Sequence, residues 1–406
     1  MARGEGRIHR VLRPYPQLPA TRTIRVMETD AVVDRRGLDE VIAVLTASGH
    51  RVLGPVERDG AIVHAQIRAT SDLPVGVRDR QEPGTYRLEH VDGGTLFDWA
   101  VGPASWKSTF FPPQETVWRA SSVGGEVVIR GLSHRDAPVA LFGARPCELA
   151  ALGVLDRVLA KGAVPDPAYR QRRAGCFVVV VECGAPASTC FCASMAAGPG
   201  AHDSYDLAVT ELPEDSRGAD RRYLVRVGSP RGADVLAAVR HRPAGPDDRR
   251  RRAEVLAGAS ALMTRSIDAG GLPELMARNI DSPRWEETAE RCLSCGNCTM
   301  VCPTCFCSDV HDVSDLDGTV ERRRGWASCF DRDHSYIHGG YVRPTTASCY
   351  RQWLTHKLGT WWDQFGSSGC VGCGRCIAWC PVGIDITEEV AAIRDRDDAK
   401  VGAGSG

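Results

Sequence analysis

Two short cysteine runs constrain this chain more than any other feature. Cys292, Cys295, Cys298 and Cys302 stand in the spacing C-x2-C-x2-C-x3-C, followed by Pro303. Cys370, Cys373, Cys376 and Cys380 repeat it, followed by Pro381. This is the ligand spacing of cubane iron–sulfur clusters. Three cysteines at every third position wrap a tight loop around one cluster and offer three sulfurs to three irons. The fourth stands on the helix that follows and, in two-cluster proteins, reaches the other cluster. The expected assignment is therefore crossed. Cys292, Cys295, Cys298 and Cys380 hold cluster 1; Cys370, Cys373, Cys376 and Cys302 hold cluster 2. Gly296 and Gly374 let the loop backbone approach sulfide. Structural zinc is the competing reading, but zinc favours paired C-x2-C knuckles in tetrahedral sets of four.

The chain has seventeen cysteines in 406 residues. MARGEGRIHR lacks the apolar region of a secretory signal, and the longest apolar run, Phe177 to Val181, is too short to span a bilayer. A cytoplasmic location is expected, where clustered cysteines are metal ligands or redox groups rather than disulfides. The net charge of −1 argues against a nucleic-acid or membrane-surface partner. Basic charge is almost all arginine; the lysines are Lys107, Lys161, Lys357 and Lys400. This reads as genome composition. Neither a GxGxxG nor a Walker A motif is present.

Residues 1–240 read as an α/β domain with a mixed sheet. TRTIRVM and AIVHAQIRA alternate as half-buried strands do, and LDEVIAVLTASGH has helical spacing. PVGVRDRQEPGTYRLEH reads as a surface loop entering a strand. Val139–Phe142, a helix from Cys147 or Glu148 with Leu149, Leu152, Leu155 and Leu159 on one face, and Phe177–Val181 form a β-α-β unit. Residues 241–283 read as a helical linker whose arginine run is a solvated face. Residues 284–393 read as a mainly helical dicluster ferredoxin domain. Ser282 and Pro283 open its first helix, Leu354, Leu358, Trp361 and Phe365 pack its core, and Thr387 caps its last helix. Residues 394–406 are expected to be a disordered tail.

Topology suggests a third site. If the two strands of the β-α-β unit are parallel neighbours, a right-handed crossover puts both carboxyl ends on one edge. Cys147 follows the first strand at a helix N-terminus, and Cys183 follows the second. Cys190 and Cys192 lie in the next loop, ECGAPASTCFCASMAAGPG. These four are expected to meet at the ligand-binding edge of the sheet and hold a third 4Fe-4S cluster. Free thiols, a redox pair, or replacement of one ligand by Cys305 or Cys307 are the alternatives. Cys176, on the opposite edge, reads as structural. Cys329 and Cys349 have no assigned role.

GARPCELAALGVLDRVL, TCFCASM, RCLSCGNCTMVCPTCFC, YIHGG and SGCVGCGRCIAWCPVGIDITEEV together resemble the beta subunit of cytoplasmic NAD(P)-linked NiFe hydrogenases, also called sulfhydrogenases. A related family is the electron-transfer subunit of anaerobic sulfite reductase. The resemblance covers nearly the whole chain, including LPVGVRDRQEPGTYRL and VGPASWKSTFFPP. It implies an iron–sulfur electron-transfer subunit with no catalytic residue of its own. Its partners would be a flavin- and NAD(P)-binding gamma subunit, an iron–sulfur small subunit and a NiFe large subunit. The sulfite-reductase relation implies instead a donor of electrons to sulfite reduction. The layout G-x-x-P-C-x-L also looks distantly like the beta subunit of deazaflavin-linked hydrogenases, which raises a flavin site.

Overall fold

In the computed structural model, residues 30–123, 126–131, 137–213 and 221–403 are described. The strand expected in TRTIRVM lies outside them. β1 (Ala31–Val33) leads into helix Arg35–Ala47. β2 (Arg51–Arg58) and β3 (Ala61–Gln66) form a hairpin, as do β4 (Val77–Glu82) and β5 (Thr85–His90). β6 (Gln114–Val123) pairs antiparallel with β7 (Glu126–Gly131). β8 (Val139–Ala144), helix Pro146–Leu155 and β9 (Phe177–Val181) are the expected β-α-β unit. β10 (Leu207–Glu211), β11 (Tyr223–Val227) and β12 (Arg242–Pro243) follow.

The main sheet has the order β12-β1-β11-β10-β9-β8-β2-β3. Its central strands β2, β8, β9 and β10 run parallel, and the flanking pairs are antiparallel. β9 reads FVVVV because both of its faces are covered. Phe177, Val179 and Val181 pack with Leu38 and Ile42 of the first helix; Val178 and Val180 pack with Leu149, Leu152 and Leu155. Each such burial contributes roughly 1.5–3 kcal/mol. Pro146 starts the crossover helix with its φ already helical, and the Glu148 carboxylate accepts the Arg145 N–H at 3.1 Å.

Several expectations need correction. PVGVRDRQEPGTYRLEH is not a loop but the β4–β5 hairpin, whose inward residues Asp79 and Gln81 are buried polar groups. Asp79 accepts the Ala100 N–H at 2.6 Å, and Gln81 donates to the Val101 carbonyl at 2.8 Å. The C-terminal region is mainly helical, as expected, but also holds strands. β13 (Ser308–Ser314) and β14 (Val320–Trp326) form a hairpin between the two ligand runs, and β14 pairs with β6. The resulting sheet, β13-β14-β6-β7, crosses the boundary drawn between 1–240 and 284–393. Glu115 on β6, buried, bonds Arg324 on β14 at 2.6 Å and also Arg172.

The region 241–283 does more than link. Its helix, Pro246–Leu262, docks through Arg252 onto buried Glu182, with contacts of 2.6 and 2.7 Å. Arg250 keeps the solvated role expected of the arginine run, pairing with Glu254 on the exposed face. The last helix runs Ile386–Ala403, through most of the expected tail. Asp397 within it accepts from Arg278 and Asn279 at 2.7 and 2.8 Å. Its first turn is capped by Asp385, which accepts the Thr387 N–H at 2.9 Å. Among the described residues, no helix is long and apolar enough to cross a membrane.

Candidate iron–sulfur centres

The two ligand loops repeat one backbone conformation. In the first, Ser294 has φ 52° and Gly296 φ 73°; in the second, Gly372 has φ 66° and Gly374 φ 74°. These left-handed residues curl each loop around its cysteines. The Ser294 N–H donates to Cys292 Sγ at 3.4 Å, and the Gly372 N–H donates to Cys370 Sγ at the same distance. Such bonds stabilise negative charge on sulfur and set cluster potentials. Short helices Asn297–Met300 and Arg375–Ala378 follow and carry the next cysteine back toward the loop.

The thiols gather in two sets. Cys292, Cys295, Cys298 and Cys380 line one cavity, with Phe330, Tyr350 and, from the second run, Cys376 also in its wall. Burial pushes the Cys298 thiol far above its ordinary range, and the neighbouring thiols Cys329, Cys292, Cys380 and Cys295 push it the same way. For Cys376, burial acts first, followed by Cys370, Cys373 and Cys302. Cys380 thus lies with the first run, and Cys302 lies beside the second, where Lys357 Nζ bridges its Sγ and the Gly369 carbonyl. The Ile384 N–H donates to Cys380 Sγ at 3.3 Å.

A third set lies at the sheet edge. Because β8 and β9 are parallel neighbours, Cys147 and Cys183 emerge side by side. Together with Cys190 and Cys192 they line a small cavity whose wall also includes Met263. All four are buried. Cys305 and Cys307 do not line it; they line a separate cavity. The buried Arg145 guanidinium lines the third cavity and is held by the carbonyls of Phe97 at 2.9 Å, Glu182 at 3.2 Å and Trp99. Burial raises the Cys183 thiol, and Arg145 is the first influence opposing that rise.

Among the described residues, no three His, Cys, Asp or Glu side chains converge as a single metal ion requires. The thiols ring cavities instead, an arrangement suited to a polynuclear group. Residues 291–384 match the family model of a 4Fe-4S dicluster domain. Over 322 residues the chain is 32% identical to the sulfhydrogenase 2 subunit beta of Pyrococcus furiosus, covering 77% of this chain and 90% of that one. The chain belongs to the sulfhydrogenase beta-subunit family. As a member of that beta-subunit family with a dicluster domain, it is an iron–sulfur electron-transfer subunit.

Sequence reasoning missed the residues that bind the beta subunit's three cysteine sets into one structure. Buried Arg375, in the second ligand loop, pairs with Glu148 of the RPCEL helix at 2.6 Å and donates to the Gly102 and Ala104 carbonyls. The first TCFC segment packs on the same loop, with the Phe191 N–H on the Gly372 carbonyl at 2.9 Å. Lys357, buried, donates to Cys302 Sγ at 3.3 Å and to Thr304 Oγ1 and the Gly369 carbonyl, each at 3.1 Å. Lys107, also buried, donates to the Cys305 carbonyl at 3.1 Å. No spacing rule marks these residues, because their partners are far away in sequence.

Proposed function

We propose that this chain is the electron relay of a sulfhydrogenase-type complex. It joins a flavin- and NAD(P)-binding gamma subunit to an iron–sulfur small subunit and a NiFe large subunit. Cluster 1 would be held by Cys292, Cys295, Cys298 and Cys380, and cluster 2 by Cys370, Cys373, Cys376 and Cys302. A third 4Fe-4S cluster would be held by Cys147, Cys183, Cys190 and Cys192. Each cluster, when bound, supplies one-electron redox chemistry. The protein keeps the cavities dry, aims N–H groups at sulfur and offsets negative charge with Arg145 and Lys357.

The observation that carries this reading is the contiguity of the three sets. Cys376 of the second set lines the cavity of the first, next to Cys298. Cys373 of the second set packs in one buried cluster with Cys147 and Cys192 of the third. A chain that only used metal for stability would have no need to line its sites up in series.

Anaerobic iron and sulfide analysis of the isolated chain tests this. Three cubanes require at least about twelve irons per chain, whereas about eight would remove the third site. Cys147→Ser should lower the count by about four and leave the paramagnetic signals of clusters 1 and 2. Cys302→Ala and Cys380→Ala should each disturb the cluster anchored mainly by the other run. Loss confined to each residue's own run would disprove the crossed ligation.

A further inference from the structure

Seventeen cysteines less the twelve assigned leaves Cys176, Cys305, Cys307, Cys329 and Cys349. Three of these, Cys305, Cys307 and Cys329, line a single cavity of about 350 Å³. Lys357 and Arg343 line it too, with His334 and His356. We propose that Cys305, Cys307 and Cys329 hold a further iron–sulfur cluster there, with a non-thiolate ligand completing the set. The proposal rests on the iron–sulfur reading above and extends it to a site beside cluster 2.

The first argument is the donor set. Three thiols lining one cavity, with two imidazoles in the same wall, match the ligands that iron–sulfur clusters accept; histidine replaces cysteine on iron in some two-iron centres. Thiolates and inorganic sulfide bring negative charge, and the Lys357 and Arg343 side chains offset it. Trp353 and Trp361 form part of the wall and are 5% and 2% exposed. Their indole N–H groups, and Nε of Arg343, have no hydrogen-bond partner within the described residues. Buried donors without acceptors are costly, and sulfur at this site would supply acceptors.

The second argument is the repeated TCFC segment. In the first copy, Thr189 is fully buried, and Cys190 and Cys192 share a cavity with two thiols from elsewhere. In the second copy, Thr304 is fully buried, and Cys305 and Cys307 share a cavity with Cys329. Both copies anchor on the cluster 2 loop. Phe191 N–H meets the Gly372 carbonyl at 2.9 Å, and Thr304 Oγ1 meets the Gly369 carbonyl at 2.6 Å. The second cluster thus lies between two similar cysteine pockets. An electron given up by one centre would be gained by its neighbour, and cluster 2 would be a junction with three neighbours.

Full-length chain purified without oxygen tests the proposal through Cys307→Ser, Cys329→Ser and the double variant. Cys305 is left intact because it lies beside Cys302. Each single variant should lose the same complement, about four irons for a cubane or about two for a two-iron centre. The double variant should lose no more than either single one, and the signals of the other clusters should persist. Cys349→Ser, outside the cavity, should lose none. Unchanged iron in the single variants, or loss of zinc in place of iron, overturns the proposal. Should the variants fail to assemble, the wild-type count decides. Fourteen to sixteen irons, as a rough count, support it; about twelve that fall to about eight in Cys147→Ser refute it and leave the three-cluster relay standing, whereas about twelve unchanged in Cys147→Ser support it and remove the third site.

Discussion

Lys357 shows how one side chain can tune a centre that the cysteines only anchor. Burial alone would push its pKa down, but Cys302 and Cys305 outweigh burial and hold it well above its ordinary value. The ammonium is therefore a fixed positive charge beside Cys302. Lys357→Met keeps the volume and removes the charge. An oxidised cluster gains relative to its reduced form when a cation leaves, so the midpoint potential of cluster 2 should fall. A charge near 6 Å at an effective dielectric of 20 corresponds to on the order of 100 mV. Redox-poised paramagnetic titration would read it, and an unchanged potential would show that solvent screens the charge. The cysteines of the dicluster runs were legible in the sequence because their chemistry depends on short spacing. Lys357 and Lys107 are two of four lysines in an arginine-rich chain, and their meaning depends on contacts 55 and 198 residues away in sequence.

Secondary elements were legible where side-chain hydrophobicity followed the backbone period. β8, β9 and the crossover helix are of this kind. β4 has the same alternation, but its inward positions are Asp79 and Gln81, so a hydrophobicity pattern cannot show it. The β13–β14 hairpin did carry a signal, Asp317–Gly318 at its turn, masked by its position within a cysteine-rich, helix-forming region. Two predictions belong at this scale. A Cβ on Gly374 would stand 2.4 Å from the Thr189 carbonyl oxygen, at φ 74°. Gly374→Ala should therefore separate the first TCFC segment from the second ligand loop and lower iron per chain. Gly366→Ala meets nothing within 4 Å at a similar φ of 68°; it should cost only about 1–2 kcal/mol of backbone strain and keep its iron.

The second concerns Glu115, which joins β6 to β14. Burial alone would raise its pKa, yet Arg172 and Arg324 outweigh burial and hold it below 4.5. A carboxylate held low stabilises the fold above its unfolded value, and that contribution disappears as pH falls through the lower folded value. Glu115→Gln should cost roughly 3 kcal/mol at neutral pH, because half-buried Arg172 loses its carboxylate and Arg324 keeps Asp166 alone. The cost should shrink below pH 4.5. Unfolding rates after pH jumps, followed by tryptophan fluorescence, would show the convergence; a constant difference would rule out the ion pair as its source.

For the whole molecule, the ferredoxin-like half leans on the α/β half. β14 completes its sheet with β6, Arg375 spends its hydrogen bonds on Glu148 and the Gly102–Ala104 backbone, and Met263 of the intervening region lines the third cavity. Residues 284–393 contain every ligand proposed for clusters 1 and 2, and sequence alone presents them as a free-standing unit. The contacts argue otherwise. Expressed alone, this segment should hold less than eight irons, the full content of two cubanes, and should self-associate through the edges that β6 covers in the full chain. Iron analysis with size-exclusion chromatography would check both.

Cys295 is the one exposed cysteine of the seventeen, while the second and third sets are half-buried or buried. Small oxidants attack accessible sulfur first. Brief contact with air should therefore bleach the outermost centre before the inner ones, and the order in which colour and magnetism fade would trace the path from the surface inward.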